Sequence, residues 1–273
     1  PGAPGAVSSG SHDGGPTNDP TIDVAWGAAT DVLSGIDGYS FLWNGVDQDC
    51  DFTIDSDFDE RSTTSPPLAA GDWYFHVCAV DLAGNWGAVA TGGPYTIDLS
   101  APRVANLDSV ATSGGAIGEG EVVNVGITQL LVSFDEAMDA ALAESSGNYL
   151  LIFGGNDGTL DTAACGPLQG DDQSVSIDLA TYATQTTTIS VNGSTALADG
   201  TYRLLVCASL KDAAGNPLDG DGNGSGGDDF SRSFRVDLAR PTVTLVQSVA
   251  DTGDGALGEN EATNVAITEL VVS

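Results

Sequence analysis

The sequence predicts an all-β protein built of tandem β-sandwiches. Three observations predict it: strand-length segments in which apolar and polar residues alternate, a long internal repeat, and tight turns rich in glycine and aspartate between the segments. The 273 residues suffice for two domains, or two and a fraction, and a hydrophobic content of 41% fills ordinary cores.

Residues 1–19, PGAPGAVSSGSHDGGPTND, lack the charged start and apolar segment of a signal peptide. They read as a linker rich in Pro, Gly and Ser, which would place this chain inside something longer. Residues 20–99 are the first expected domain. Ile22, Val24 and Trp26 alternate there, as do Tyr39, Phe41 and Trp43. In AGDWYFHVCAVDLAGN, from Ala70 to Asn85, Trp73, Phe75, Val77 and Ala79 face one way and Tyr74, His76 and Cys78 the other. Two antiparallel sheets bury such faces against each other, whereas a lone sheet leaves them wet.

Residues 100–239 are the second, larger domain. APRVANLDSVATSGGAIGEGEVVNVGITQLLVS, from Ala101, returns as RPTVTLVQSVADTGDGALGENEATNVAITELVVS from Arg240, with one residue inserted near the acidic turn. A unit of about 139 residues thus ends near Ala239, and residues 240–273 are the start of a second copy, too few for a complete sandwich. Trimming or donation of a strand to a neighbour would each account for that. A subtler match joins the two domains: DGTYRLLVCASLKDAAGN, from Asp199, sets Gly200, Tyr202 and Cys207 against Gly71, Trp73 and Cys78. Tyr202, Leu204, Val206, Ala208 and Leu210 repeat the inward pattern. Strands are expected at 130–134, 149–153, 175–179, 187–191 and 230–237. A short helix is expected in DEAMDAALAESSGN (135–148), capped by Asp135, with Met138, Ala141 and Leu142 facing the sandwich.

Cys50 and Cys78 fall in the first domain, Cys165 and Cys207 in the second, which suggests one disulfide in each and an oxidising compartment. Four cysteines allow three pairings, and buried free thiols are the other reading.

Residues 20–99 resemble the fibronectin type III and bacterial Ig-like domains of secreted proteins, in VAWGAATDVLSGIDGYSFLW, WYFHVCAVDLAGNW and GPYTID. Residues 101–239 resemble the Ig-like repeats of bacterial surface proteins, S-layer-type domains included, through LLVSFDEAM, NYLLIF and LADGTYRLLVCASLKDAAGNPLDGDGNG. The resemblance implies modules of adhesins, surface layers or multidomain secreted enzymes, and carries no catalytic residue across. The Lys–Asn isopeptide brace of many such domains has no place in the first domain, because Lys211 is the chain's one lysine.

Charge narrows the partners. Thirty-nine acids, 31 of them Asp, against seven basic residues give a formal charge of −32. A nucleic acid or an anionic membrane surface needs basic side chains that this chain lacks. No apolar run approaches the roughly 18 residues of a membrane span. Self-repulsion on this scale is relieved by salt or by bound cations, and the preference for Asp leans toward cations: a short carboxylate in a glycine-rich turn sits close to main-chain carbonyls that complete an oxygen shell. High-salt adaptation explains the same composition.

The first candidate calcium loop is DGDGNGSGGDD, with Asp219, Asp221 and Asn223 at alternate positions and Gly224 next. It departs from the EF-hand pattern where Phe230 replaces the terminal Glu, a place that Asp228 and Asp229 would fill in a differently shaped loop. A plain solvated hairpin is the rival. The second candidate is the acidic turn near each repeat start, Glu119 and Glu121, recurring as Glu259 and Glu261 with Asp251 and Asp254 added. Asp98 and Asp237, before each Pro-containing junction, either fix the linker geometry or join an interdomain cation site. The DxxGN turns at Asp81 and Asp212 read as local hairpin devices. The seven acids of Asp47–Glu60 read mainly as a solvated surface.

Catalytic signals are absent from the pattern. His12 and His76 are the two histidines, neither placed as a base, and no phosphate-cradling or nucleophile-elbow motif occurs. The sequence therefore reads as a structural or adhesive stretch of a secreted or cell-surface protein, a rigid acidic stalk stabilised by calcium. Its partners would be neighbouring Ig-like domains and, through self-assembly, a fibre or surface layer. The alternative is a glycan- or protein-binding accessory region of a larger secreted enzyme, for which exposed Trp43, Trp73 or Trp86 would argue.

Overall fold

The structure, a computed structural model, describes residues 1–46, 50–110, 115–248, 257, 267 and 270–272. The first sandwich is built from β1 (Val7–Ser9), β2 (Asp23–Trp26), β3 (Ile36–Asn44), β4 (Ser56–Asp57), β5 (Ser62–Thr64), β6 (Gly71–Asp81) and β7 (Ala90–Ile97). One sheet runs β1–β2–β5 and the other β4–β3–β6–β7, with all pairings antiparallel. The alternation read from the sequence fills the space between them: Val24 and Trp26 from one sheet meet Tyr39, Phe75, Val77, Ala79, Tyr95 and Ile97 from the other. Trp26 stands edge-on to Tyr39 at 5.6 Å between ring centres, an arrangement favoured by the aromatic quadrupole. The other face of β6 is buried as well. Cys78 is bonded to Cys50, and His76 Nε2 reaches the Val46 carbonyl at 3.1 Å, so Val46 and Cys50 lie over that face.

The second sandwich comprises β8 (Val104–Ser109), β9 (Gly115–Ala116), β10 (Glu121–Val123), β11 (Gln129–Phe134), the one-turn helix α1 (Ala140–Ala143), β12 (Tyr149–Phe153), β13 (Gln173–Val175), β14 (Ile177–Ala183), β15 (Thr186–Val191), β16 (Gly200–Val206) and β17 (Phe230–Val236). Its sheets are β10–β17–β16–β12–β13 and β14–β15–β11–β8–β9. The β10–β17 pair is parallel. Leu107, Leu130, Val132 and Ile189 from one sheet share a single core with Leu151, Tyr202, Leu204 and Phe234 from the other. Beyond it, β18 (Val246–Ser248) pairs with β19 (Leu270–Val272).

Four expectations are corrected. Residues 1–19 are not a linker: β1 pairs with β2, and Val7 packs on the first core. Gly5 is required there for packing, since a Cβ on it would lie 2.8 Å from Gly27 Cα, so this glycine pair permits close backbone approach. The helix is capped by Asp139, whose Oδ1 accepts from Leu142 N at 2.9 Å, because Asp135 instead accepts from Arg103 N at 2.7 Å. That shift turns Ala143 inward and leaves Ala141 exposed. Residues 175–179 are not one strand: β13 ends at Val175 in one sheet and β14 begins at Ile177 in the other, so this segment is a crossover. Finally, β16 ends at Val206, and Leu210 reaches the core from the following turn.

Candidate functional site

The DGDGNGSGGDD loop folds on its own carboxylates. Asp219 Oδ1 accepts from Asn223 N at 3.0 Å and its Oδ2 from Gly224 N at 2.9 Å. Asp221 Oδ1 accepts from Asn223 N at 2.9 Å, and Asp228 Oδ1 from Asp221 N at 2.9 Å. One oxygen from each of Asp219, Asp221 and Asp228 lies within 4.8 Å of the others. A cation here would compete with a resident one: Arg103 Nε donates to Asp219 Oδ2 at 2.7 Å. Burial of Asp219 opposes its ionisation, but the Gly224 N–H and the Arg103 guanidinium outweigh that and hold its carboxyl below the usual range.

The other candidates fall elsewhere. Asn223 Oδ1 is turned to Ser225 N at 2.8 Å. Asp229 lies beside the second disulfide, Cys165–Cys207, and accepts from Cys165 N and Ala208 N, both at 2.7 Å. Its role is to tie two main-chain segments around the disulfide. Glu119 Oε2 accepts from Ser233 N at 2.9 Å and Glu121 Oε2 from Gly118 N at 2.7 Å, so this acidic turn fastens the start of the repeat to β17. Asp251, Asp254, Glu259 and Glu261 lie outside the described residues.

The fold assembles a second carboxylate group, at the joint between the sandwiches. Asp98, just past β7, meets Glu136 and Asp212 of the second sandwich, with one oxygen of each within 4.8 Å of the others. Burial, first, and then the charges of Asp98, Asp212 and Asp135 push the Glu136 carboxyl up to about 7. Asp212 is held by the DxxGN turn: its Oδ1 accepts from Asn216 N at 2.7 Å and Gly215 takes a φ of 98°. The first domain repeats the device at Asp81 and Asn85, with Gly84 at a φ of 84°. Sequence reading singled out Asp98 and Asp212 separately, but Glu136 was hidden inside the expected helix, and no spacing joins three residues so far apart in the chain.

This joint is closely tied. Asn216 Nδ2 donates to the Asp98 carbonyl at 2.9 Å, and Asn18 N to the Ala214 carbonyl at 3.0 Å. Thr17 bridges Ile97, and Asp98 N donates to the Thr17 carbonyl at 3.0 Å. The connector is held on its far side too, where Asp219 N donates to the Pro102 carbonyl at 2.9 Å.

On the first sandwich the exposed Phe52 stands edge-on to Trp86 at 5.4 Å, whereas Trp43 and Trp73 pack against the core. No helix among the described residues is long and apolar enough to cross a membrane.

No family model matches the chain, and no curated protein matches it in sequence. Among solved structures, the chain overlaps the FN1–FN3 domains of chicken CNTN1 over 90% of its own length and 71% of that chain, at 14% identity and a TM-score of 0.31. It also overlaps Bacteroides ovatus SGBP-B of the mixed-linkage glucan utilization locus, in complex with a mixed-linkage heptasaccharide, over 88% of its length at 13% identity and a TM-score of 0.21; it spans 47% of that protein. Overlaps this loose establish no common arrangement of the whole chain. The expectation of Ig-like and S-layer-type domains narrows to all-β, sandwich-like units without a particular family.

Proposed function

We propose that this chain is a structural stretch of a secreted or cell-surface protein, an acidic stalk segment whose sandwiches are joined stiffly. The observation that supports it most is the joint: only Asp98 to Arg103 separate β7 from β8, and hydrogen bonds from Asn18 and Asn216 cross between the sandwiches. A disulfide in each sandwich suits an oxidising exterior. Each module contributes length, and the short, bonded joint limits bending.

Calcium stabilisation is part of this proposal. Calcium takes oxygen ligands, and both carboxylate groups offer them. The joint group fits better than Asp219, Asp221 and Asp228, because Arg103 already neutralises Asp219. Asp98, Glu136 and Asp212 would hold the ion, which would neutralise acids from both sandwiches and brace the joint. Extracellular modules bind calcium with Kd about 10⁻⁴ to 10⁻³ M. The test is a calorimetric calcium titration of the whole chain at low and high sodium chloride, with melting followed with and without chelator. Saturable binding that persists in high salt, raises Tm and is lost in Glu136→Gln supports the joint site. If calcium does no more than monovalent salt of equal ionic strength, the acids are general charge adaptation, and the stalk reading stands without an ion.

Phe52 and Trp86 favour a second reading, a loop surface for glycans. Phe52 holds a left-handed φ of 62°, which places an aromatic ring in solvent at some conformational expense. Titration of a panel of soluble oligosaccharides, followed by tryptophan fluorescence in the intact chain and in Phe52→Ala, tests it; an unchanged spectrum across the panel removes it.

A further inference from the structure

The last strand pair repeats an earlier one in register. In the second sandwich, Leu107 stands opposite Val132, Asp108 opposite Leu131 and Ser109 opposite Leu130. The internal repeat maps these residues onto Val246, Gln247, Ser248, Leu270, Val271 and Val272, and β18–β19 pairs Val246 with Val272, Gln247 with Val271 and Ser248 with Leu270. A further contact is conserved between the copies: Ile117 N donates to the Leu107 carbonyl at 2.6 Å, and Leu257 N to the Val246 carbonyl at 2.7 Å. The two strand pairs thus share one register.

Their surroundings differ. Leu130, Val132 and Ile127 are fully buried, whereas their counterparts Leu270, Val272 and Ile267 are 54%, 57% and 36% exposed. Side chains that build a core in the first copy face solvent in the second. What covers the first copy is known from the same chain: Leu151, Tyr202, Leu204 and Phe234, from β12, β16 and β17. The polar ties recur in the sequence as well. Glu119, which accepts from Ser233 N of β17, and Glu121, which pairs with Phe234, have counterparts in Glu259 and Glu261.

We propose that the apolar face of β18–β19 is the receiving half of a further sandwich and takes, as its partner, a polypeptide segment with the pattern of residues 134–239, whose β12, β13, β16 and β17 form the sheet opposite β8–β11 and whose β14 and β15 extend the β8–β11 sheet itself. The segment must be free of a first half of its own. Among the described residues, the sheet of this pattern in a second copy is already covered by that copy's own β8 and β11, so exchanging it between copies would bury no additional apolar area. This inference rests on the repeat and not on the stalk or calcium reading.

The experiment extends the whole chain after Ser273 with a second copy of residues 134–239, and follows amide hydrogen exchange in the chain with and without the extension. The expected result is that amides of Val246, Leu257 and Val272 exchange at least ~100-fold more slowly in the extended chain, approaching those of Leu107, Ile117 and Val132. Leu270→Asp with Val272→Asp in the extended chain should abolish that gain while residues 101–239 keep their protection. An extended chain in which 246–272 exchange as fast as before, with the added copy unfolded or folded apart, overturns the proposal. So does a dimer of the original chain, seen by sedimentation and dissolved by the double Asp variant, since the face would then belong to a second copy.

Discussion

Asn216 reaches across the joint with one side chain and holds its own turn with the same group: its Nδ2 donates to the Asp98 carbonyl at 2.9 Å and to Asp212 Oδ2 at 2.8 Å. The amide therefore couples the geometry of a hairpin in the second sandwich to the exit of the last strand of the first. Asn216→Ala removes both bonds and leaves the buried Asp212 carboxylate one donor short. Chemical denaturation should show a loss of about 1–3 kcal/mol. Small-angle scattering should show a wider spread of angles between the sandwiches; an unchanged profile would mean that the short connector alone sets the joint.

Glu136 gives the joint a pH dependence of defined sign. Its carboxyl ionises near 4.5 in an open chain and near 7 in the fold, so the folded state keeps a proton that the unfolded state has already released. Its contribution to stability therefore weakens as pH rises from about 4.5 to about 7, and is level above that. Glu136→Gln should gain stability relative to the wild type between about pH 5 and pH 8, measured by urea midpoints. A wild-type to variant difference that does not change over this range would refute the shift.

Acid should act in the opposite direction through the turn aspartates. Backbone hydrogen bonds from Ser34, foremost, and from Leu33 and Gly35 hold the Asp31 carboxyl at about 2, and Asn85 lowers that of Asp81. Such groups stabilise the fold above their ordinary value of 3.8, and that stabilisation is lost as pH falls toward their depressed values. Asp81→Asn should therefore shrink the acid sensitivity of the first sandwich, read by circular dichroism between about pH 5 and pH 2.

Arg103, just before β8, is the cation that meets the DGDGNGSGGDD loop, at Asp219. Arg103→Ala leaves the Asp219 carboxylate without its ion pair, yet the Arg103 side chain is 45% exposed, so screening by solvent keeps the loss of stability small in chemical denaturation. If Arg103 excludes cations from this loop, the same variant should bind one more calcium ion than the wild type in calorimetry. An unchanged stoichiometry would show that the loop's hydrogen bonds already satisfy its carboxylates.

The N-terminal segment offers a direct measure of its place in the first sandwich. Gly27→Val would set a side chain against Gly5, where even a Cβ approaches Gly5 Cα to 2.8 Å, and should destabilise that sandwich by about 1–3 kcal/mol. The second sandwich should melt unchanged. Equal stability of variant and wild type would mean that β1 detaches freely.

The sequence by itself determined the all-β class, the inward-facing residues of the longer strands and the repeat, because alternation with period two and a copied segment are local signals that survive in one dimension. Val24, Trp26, Phe75, Val77, Leu204 and Phe134 lie in the cores where their alternation puts them. Composition misled at residues 1–19, since glycine permits a flexible linker and close backbone packing alike, and only the partner Gly27 distinguishes the two. The acidic loops were visible as letters, but a carboxylate's partner is set by what the fold brings near it. Tertiary structure alone turned Arg103 onto Asp219, sent Asp229 to the disulfide and joined Asp98, Glu136 and Asp212 at one joint. Carboxylate chemistry depends on distances of a few ångströms between residues that lie far apart in the chain, and no periodicity in the chain encodes them.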